Sequence, residues 1–210
     1  VVHGSDNKNF ELIREHPSAP VILHDEDALG YAAGRVIGAK ASQSDILLFL
    51  EGHIPIPAPK LLPFIQSIEK GADVALNNIS PFIPDFHQRD PVSIMKEFVN
   101  EVMGRPDLMT NSMTNAPHAL SRNAVENIGL VNLAKPPLAQ AIAMHMHLKV
   151  TAPTSINFEQ LRHHSSINHE QQSPAIQHMI GDHLEALSNI MSHRGTRLCF
   201  EDKLRRRHMA

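Results

Sequence analysis

Apolar residues in this chain fall into two rhythms, short continuous runs and stripes at helical spacing, and the two alternate along most of its length. The runs are Val1 to His3, Pro20 to His24, Ile46 to Glu51, Ala72 to Asn77, Pro117 to Ser121 and Lys149 to Ala152. Each has the length of one strand. Between them the spacing predicts helices over residues 9–16, with Phe10 and Ile13 inward, and over 58–69, with Ala58, Leu61, Leu62, Ile65 and Ile68 inward. Asp90-Pro91 opens another helix with a capping acid and a first-turn proline, and its stripe is Val92, Met95, Phe98, Val99 and Val102. Ser121 caps a helix over 122–128. Residues 137–148 form an alanine- and methionine-rich helix, and 175–193 form an amphipathic one with Ile180, Leu184, Leu187 and Met191 as its stripe. Strands alternating with helices and joined by short loops predict an α/β fold in layers, with a mainly parallel mixed sheet. No repeat or internal boundary interrupts the pattern, so residues 1–210 read as a single domain.

The run Ile46-Leu-Leu-Phe-Leu-Glu51 organises the rest. A strand apolar on both faces is one covered by helices on both sides, and the carboxyl ends of such strands are where open α/β sheets place ligands. Glu51 and His53 are two apart, so an extended chain points both to the same side. A carboxylate and an imidazole offered there suit a divalent metal; the alternative is a hydrogen-bonded or solvated loop tip. If both residues ligate, the imidazole favours Mn²⁺ over Mg²⁺, which prefers oxygen ligands.

Upstream, Gly30, Gly34 and Gly38 recur every four residues and would share one face of a helix. Glycine inside a helix costs about 1 kcal/mol against alanine, so the stripe implies close approach of the helix backbone to the sheet or to a ligand. Arg35 follows the middle glycine, either at that ligand or as an exposed helix arginine.

Composition narrows the function classes. A formal charge of −3 and a pI near 6.6 give no electrostatic footprint for nucleic acid. The one cysteine, Cys199, cannot build a disulfide framework and suits a reducing, cytoplasmic setting. No apolar stretch approaches the roughly 20 residues of a membrane-spanning helix. The fifteen histidines are scattered, without zinc-finger or His-Glu-x-x-His spacing. Lys203 to His208 make a basic tail, in which Arg205 to Arg207 offer a peripheral contact for an anionic membrane or an acidic partner, or simply a solvated end. Val1-Val2-His3 reads as the end of a strand, which implies a further strand and loop upstream.

In order and spacing, Gly4-Ser5-Asp6, then Gly30 with Gly34-Arg35 and Gly38, then Phe49-Leu50-Glu51-Gly52-His53 resemble the catalytic domain of family 2 glycosyltransferases. Pro117-His-Ala-Leu-Ser-Arg122 and Glu126-Asn-Ile-Gly129 look like that family's acceptor-side strand and helix, and the similarity covers residues 1 to about 152. The resemblance implies the three-layer, Rossmann-like GT-A fold. It implies a nucleotide-diphospho-sugar donor touched by Asp6, Arg35 and Glu51, a divalent metal (Mn²⁺ or Mg²⁺) on the diphosphate at Glu51 and His53, and inverting transfer to the hydroxyl of a glycan, lipid or small molecule. The metal and Arg35 would offset charge developing on the leaving diphosphate, while a carboxylate takes the acceptor proton.

The chain departs from the family pattern in three places. Glu51-Gly52-His53 stands where the family has two aspartates, Lys135-Pro136-Pro137 stands where its catalytic Glu-Asp pair would fall, and the first strand is not in these residues. The base must then come from elsewhere. Asp182, in Ile180-Gly-Asp-His-Leu-Glu185, is the first candidate, with a solvated helix face as the alternative reading. His118 is the second. Two further readings compete with the glycosyltransferase: a degenerate nucleotide-sugar binder without turnover, and a nucleotidyltransferase on a similar sheet.

Overall fold

The computed structural model describes residues 1–3, 7–18, 20–25, 27, 33–52, 54–157 and 174–200. The strands are β1 (Val2–His3), β2 (His24–Asp25), β3 (Ile46–Phe49), β4 (Val74–Asn77), β5 (His118–Ser121) and β6 (Val150–Thr154). The longer helices are α1 (Asn7–Arg14), α2 (Ala33–Ala41), α3 (Ala58–Glu69), α4 (Pro91–Val102), α5 (Arg122–Ile128), α6 (Pro136–His145) and α7 (Pro174–Arg194). Residues 158–173, which include His163, His164 and His169, and the basic tail lie outside the described residues.

The chain is α/β, with a four-stranded sheet in the order β3-β5-β4-β6 and a separate parallel pair, β1-β2. β3, β4 and β6 run in one direction, and β5 is inserted antiparallel between β3 and β4. Two of the three pairings in this sheet are therefore antiparallel, which corrects the expectation of a mainly parallel sheet. The cause is the path between β4 and β5. Helix α4 descends to Arg105, whose Nη2 bonds the carbonyl of Val150 at the start of β6 (2.9 Å). Residues 105–116 then climb back as an irregular polar segment, where Asn111 bonds Asn78 just past the end of β4 (3.2 Å). β5 must consequently start at the carboxyl end of β4 and run down. Apolar periodicity reports strands but not their direction.

Side chains alternate across the sheet as the pleat requires. Leu47, Val74, Leu76, Leu120 and Val150 face a large core shared with α4, α6 and α7. Ala75 and Ala119, with Ile46 and Leu48 beside them, face a smaller core around Phe64 and Ile68 of α3. The sheet thus lies between two helical layers.

Two caps form as the sequence dictates. Asp90 Oδ1 accepts from the amides of Val92 (2.9 Å) and Ser93 (3.0 Å), and Ser121 Oγ accepts from Ala124 N (3.0 Å). Partial burial raises the Asp90 pKa, but the hydrogen bonds from Ser93 and Val92 and the charge of Lys96 outweigh it and hold the carboxyl below its ordinary value. Its stabilising effect is present above the ordinary carboxylate pKa and fades as pH falls through the lowered one. Asp90→Ala is expected to cost about 1 kcal/mol in urea unfolding at neutral pH, with the difference shrinking on acidification. An undiminished difference in acid would sink the assignment.

Three helix stripes are rotated from their expected positions. In α4 the buried residues are Val92, Ser93, Lys96, Val99, Asn100 and Val102, while Phe98 is 51% exposed. In α7 they are His183, Ala186, Leu187 and Ile190, and Leu184 is 52% exposed. In α3, Phe64 and Ile68 are buried and Leu62 is exposed. The rotation in α4 is tolerated because its inward polar groups find partners: Lys96 Nζ donates to Asn115 Oδ1 (2.8 Å), and Asn100 Nδ2 donates to the carbonyls of Met109 (2.8 Å) and Asn111 (3.0 Å).

Candidate functional site at the carboxyl end of β3

The shared direction of β3, β4 and β6 gathers their carboxyl ends, and the start of β5, on one side of the sheet. Glu51 follows β3 there and His118 opens β5 opposite Phe49. Arg35 reaches the same place from α2. Its Nη2 lies 3.7 Å from Glu51 Oε1, and its Nη1 donates to the Met113 carbonyl at 3.2 Å. The Arg35 side chain is 13% exposed and that of Glu51 28%, so the pair is sheltered yet open to a ligand on one side. A cavity of about 500 Å³ runs along β3, from Val1, Ser42 and Ile46 at one end to Arg35, Glu51, Gly52 and Ala116 at the other. Residues Ile46 to Leu50 form the wall along the strand, and the charged groups stand at its carboxyl end.

His118 is buried and its ring stacks on Phe49, with centroids 5.0 Å apart and planes 15° from parallel. Nδ1 lies 3.2 Å from the Asn115 carbonyl, which can only accept, so the proton of the neutral ring sits on Nδ1. Burial, and then the neighbouring Arg35 charge, push the imidazole pKa down to about 3. A ring that protonates only in strong acid is a poor acceptor for a hydroxyl proton at neutral pH. His118 instead braces Phe49 against the segment that carries Met113.

Arg35, Glu51 and His118 are thus brought together. Asp6 and His53 lie outside the described residues. Asp182 is elsewhere: it is half-buried on α7, its charge acts on Lys135, and Lys135 Nζ is held by both oxygens of Glu185 (2.6 and 2.8 Å). Asp182 is not among the residues lining the cavity at Glu51.

The irregular polar segment 109–116, between α4 and β5, is also part of the site. Thr110, Asn111, Ser112 and Met113 are all buried. Gln140 of α6 accepts from Met113 N (2.7 Å) and donates to Asn100 Oδ1 (2.7 Å) and the Asn111 carbonyl (3.1 Å). Arg35 therefore rests on the carbonyl of a residue whose amide is pinned by Gln140. The visible signal was a polar residue on the inner side of each helix, Asn100 and Gln140, close to a run dense in Asn, Ser and Thr.

Lys96 belongs to the same network. Burial lowers its pKa to about 8, with Asp90 opposing the shift. A lysine depressed in the folded state binds fewer protons there than when unfolded, so stability rises with pH between about 8 and the unfolded value. The rise is expected to be on the order of 2–3 kcal/mol, read from urea midpoints at pH 7.5 and 10. Its persistence in Lys96→Met would assign it to another group.

A guanidinium beside a carboxylate, at the edge of a cavity and at the carboxyl end of a central strand, suits an anionic ligand such as a diphosphate. Among the described residues no three His, Cys, Asp or Glu side chains converge on one point. Glu51 alone fits a metal that arrives with the phosphates, since such ions take one or two protein carboxylates and leave the remaining positions to phosphate and water. Comparisons of the chain with protein-family models, with curated proteins and with solved structures returned no match.

Proposed function

We propose that the chain is a glycosyltransferase of the GT-A type, acting on a nucleoside-diphosphate sugar whose diphosphate lies against Arg35 and Glu51. The observation that carries this reading is the Arg35–Glu51 pair at the charged end of the cavity beside β3. The family-like motifs Gly34-Arg35 and Phe49-Leu50-Glu51 supply those two residues, and the sheet puts them at the edge where such folds bind ligands.

In this reading the Arg35 guanidinium binds the diphosphate and stabilises the charge it gains as the bond to the anomeric carbon breaks. The acceptor oxygen bonds that carbon from the opposite face, which inverts its configuration, and the hydroxyl proton leaves to a base. Bound at Glu51, a divalent metal would supply further charge neutralisation on the departing diphosphate. The Gln140–Met113–Arg35 chain of contacts fixes the guanidinium, and neutral His118 adds no competing charge beside it. No helix among the described residues is long and apolar enough to cross a membrane, which suits the cytoplasmic setting we propose.

A second reading, a nucleotide-sugar binder without turnover, is favoured by the position of Asp182 beside Lys135 and by Lys135-Pro136-Pro137 at the start of α6, where the family's acid pair would fall. Incubation with UDP- and GDP-sugars and Mn²⁺, assayed for released nucleoside diphosphate, separates the two. Release that depends on Arg35 supports the enzyme, tight binding without release supports the binder, and neither binding nor release overturns both.

A further inference from the structure

A second cavity, of about 320 Å³, opens where three helices end: Arg105 follows α4, His147 follows α6 and Arg194 closes α7, and all three line it. The bond from Arg105 to the Val150 carbonyl at the start of β6 puts it at the opposite end of the sheet from Glu51. Basic residues at helix carboxyl ends usually satisfy the last carbonyls. Here other groups have taken them. In α4 the carbonyls of Val99, Asn100, Glu101 and Val102 accept from the amides of Met103, Arg105, Gly104 and Cys199 respectively. In α6 those of Ile142, Ala143 and Met144 accept from Met146, Leu148 and His147, and in α7 Met191 accepts from Gly195. The Arg194 guanidinium is left without a partner among the described residues. Arg105 holds Asp107 through Nε (2.8 Å) and Nη2 (2.7 Å), and Asp107 is the one carboxylate paired with any of the three basic groups among the described residues. Two guanidiniums thus share one acid, and that acid is 61% exposed. Met103 and Met144 add buried apolar surface to the same wall.

We propose that this cavity binds a small organic anion, its carboxylate or phosphate held between Arg105 and Arg194 and its apolar part against Met103 and Met144. A guanidinium presents a planar fork that fits either head group. The His147 imidazole adds a third donor, since it carries a ring N–H in either protonation state. Arg105 is already oriented by Asp107 and the Val150 carbonyl, so little side-chain freedom is lost at that contact. The volume stands at the lower end for small-molecule pockets and suits a single-ring compound. The two cavities share no lining residue, so the proposal does not rest on the glycosyltransferase reading.

Cys199 lines the same cavity and is the only cysteine of the chain, so its thiol reports occupancy. Phenyl phosphate and benzoate carry the two head groups on one ring. At least one of them is expected to bind in titration calorimetry, and at saturation to slow alkylation of Cys199 by iodoacetamide about fivefold or more. Protection by one compound and not the other identifies the head group. Arg194→Gln, which removes no bond among the described residues, is expected to weaken binding about tenfold or more and to abolish the protection, with the melting temperature unchanged. Arg35→Ala should leave both intact, which separates this cavity from the one at Glu51. If the thiol does not react in the folded protein, calorimetry with the same compounds and variants decides alone. Binding of neither compound, or binding unchanged in Arg194→Gln, overturns the proposal.

Discussion

Replacing Arg35 with alanine is expected to weaken nucleoside diphosphate binding by roughly a hundredfold, since truncating a sheltered, hydrogen-bonded charge costs a few kcal/mol. The guanidinium does three things at once. It accompanies Glu51 at 3.7 Å, donates to the Met113 carbonyl at 3.2 Å and lines the charged end of the cavity. Only the last involves ligand. Losing the Met113 contact should lower stability by about 1 kcal/mol, far less than the binding loss. Arg35→Lys should recover only part of the affinity, because an ammonium cannot both hold the Met113 carbonyl and present a planar fork to phosphate. Titration calorimetry with UDP and GDP, beside thermal melts of the same variants, separates the roles. A large drop in melting temperature with affinity intact would make Arg35 a structural residue.

Gln140→Leu should be among the most damaging substitutions in the chain, at about 3–5 kcal/mol. The leucine fits the volume but leaves Met113 N without its partner and removes the donor from Asn100 Oδ1, in a place where Gln140 itself is only 3% exposed. The Asn111 carbonyl keeps one donor, Asn100 Nδ2, so the loss is smaller than the full count of broken bonds suggests. Urea unfolding gives the figure directly. A cost below about 1 kcal/mol would mean that residues 109–116 hold their shape without α6.

What was legible in the sequence follows from which signals are local. Asp90 and Ser121 act within one turn of their own helices, and both cap as read. The run Ile46 to Phe49 is a strand with cores on both faces, as its unbroken apolar character required. Arg35 and Glu51 meet because α2 and β3 carry them to the same end of the sheet. The direction of β5 was not legible, because it depends on how residues 105–116 return across the layer, and those residues carry no apolar rhythm. Lys96, Asn100 and His183 fall outside the expected apolar stripes, yet all three are buried, where polar residues are uncommon. The first two are inward because Asn115, Met109 and Asn111, distant in sequence or on an irregular path, supply partners. His183 is inward with Nδ1 near the Met179 carbonyl and Nε2 unpartnered among the described residues.

The most direct test of the donor-site assignment is calorimetric titration of UDP and GDP into the protein, into Arg35→Ala and into Glu51→Gln, each with and without Mn²⁺. The expected result is binding that Mn²⁺ strengthens, a metal effect lost in Glu51→Gln, and binding lost with or without metal in Arg35→Ala. Nucleotide affinity unchanged by both substitutions would contradict it.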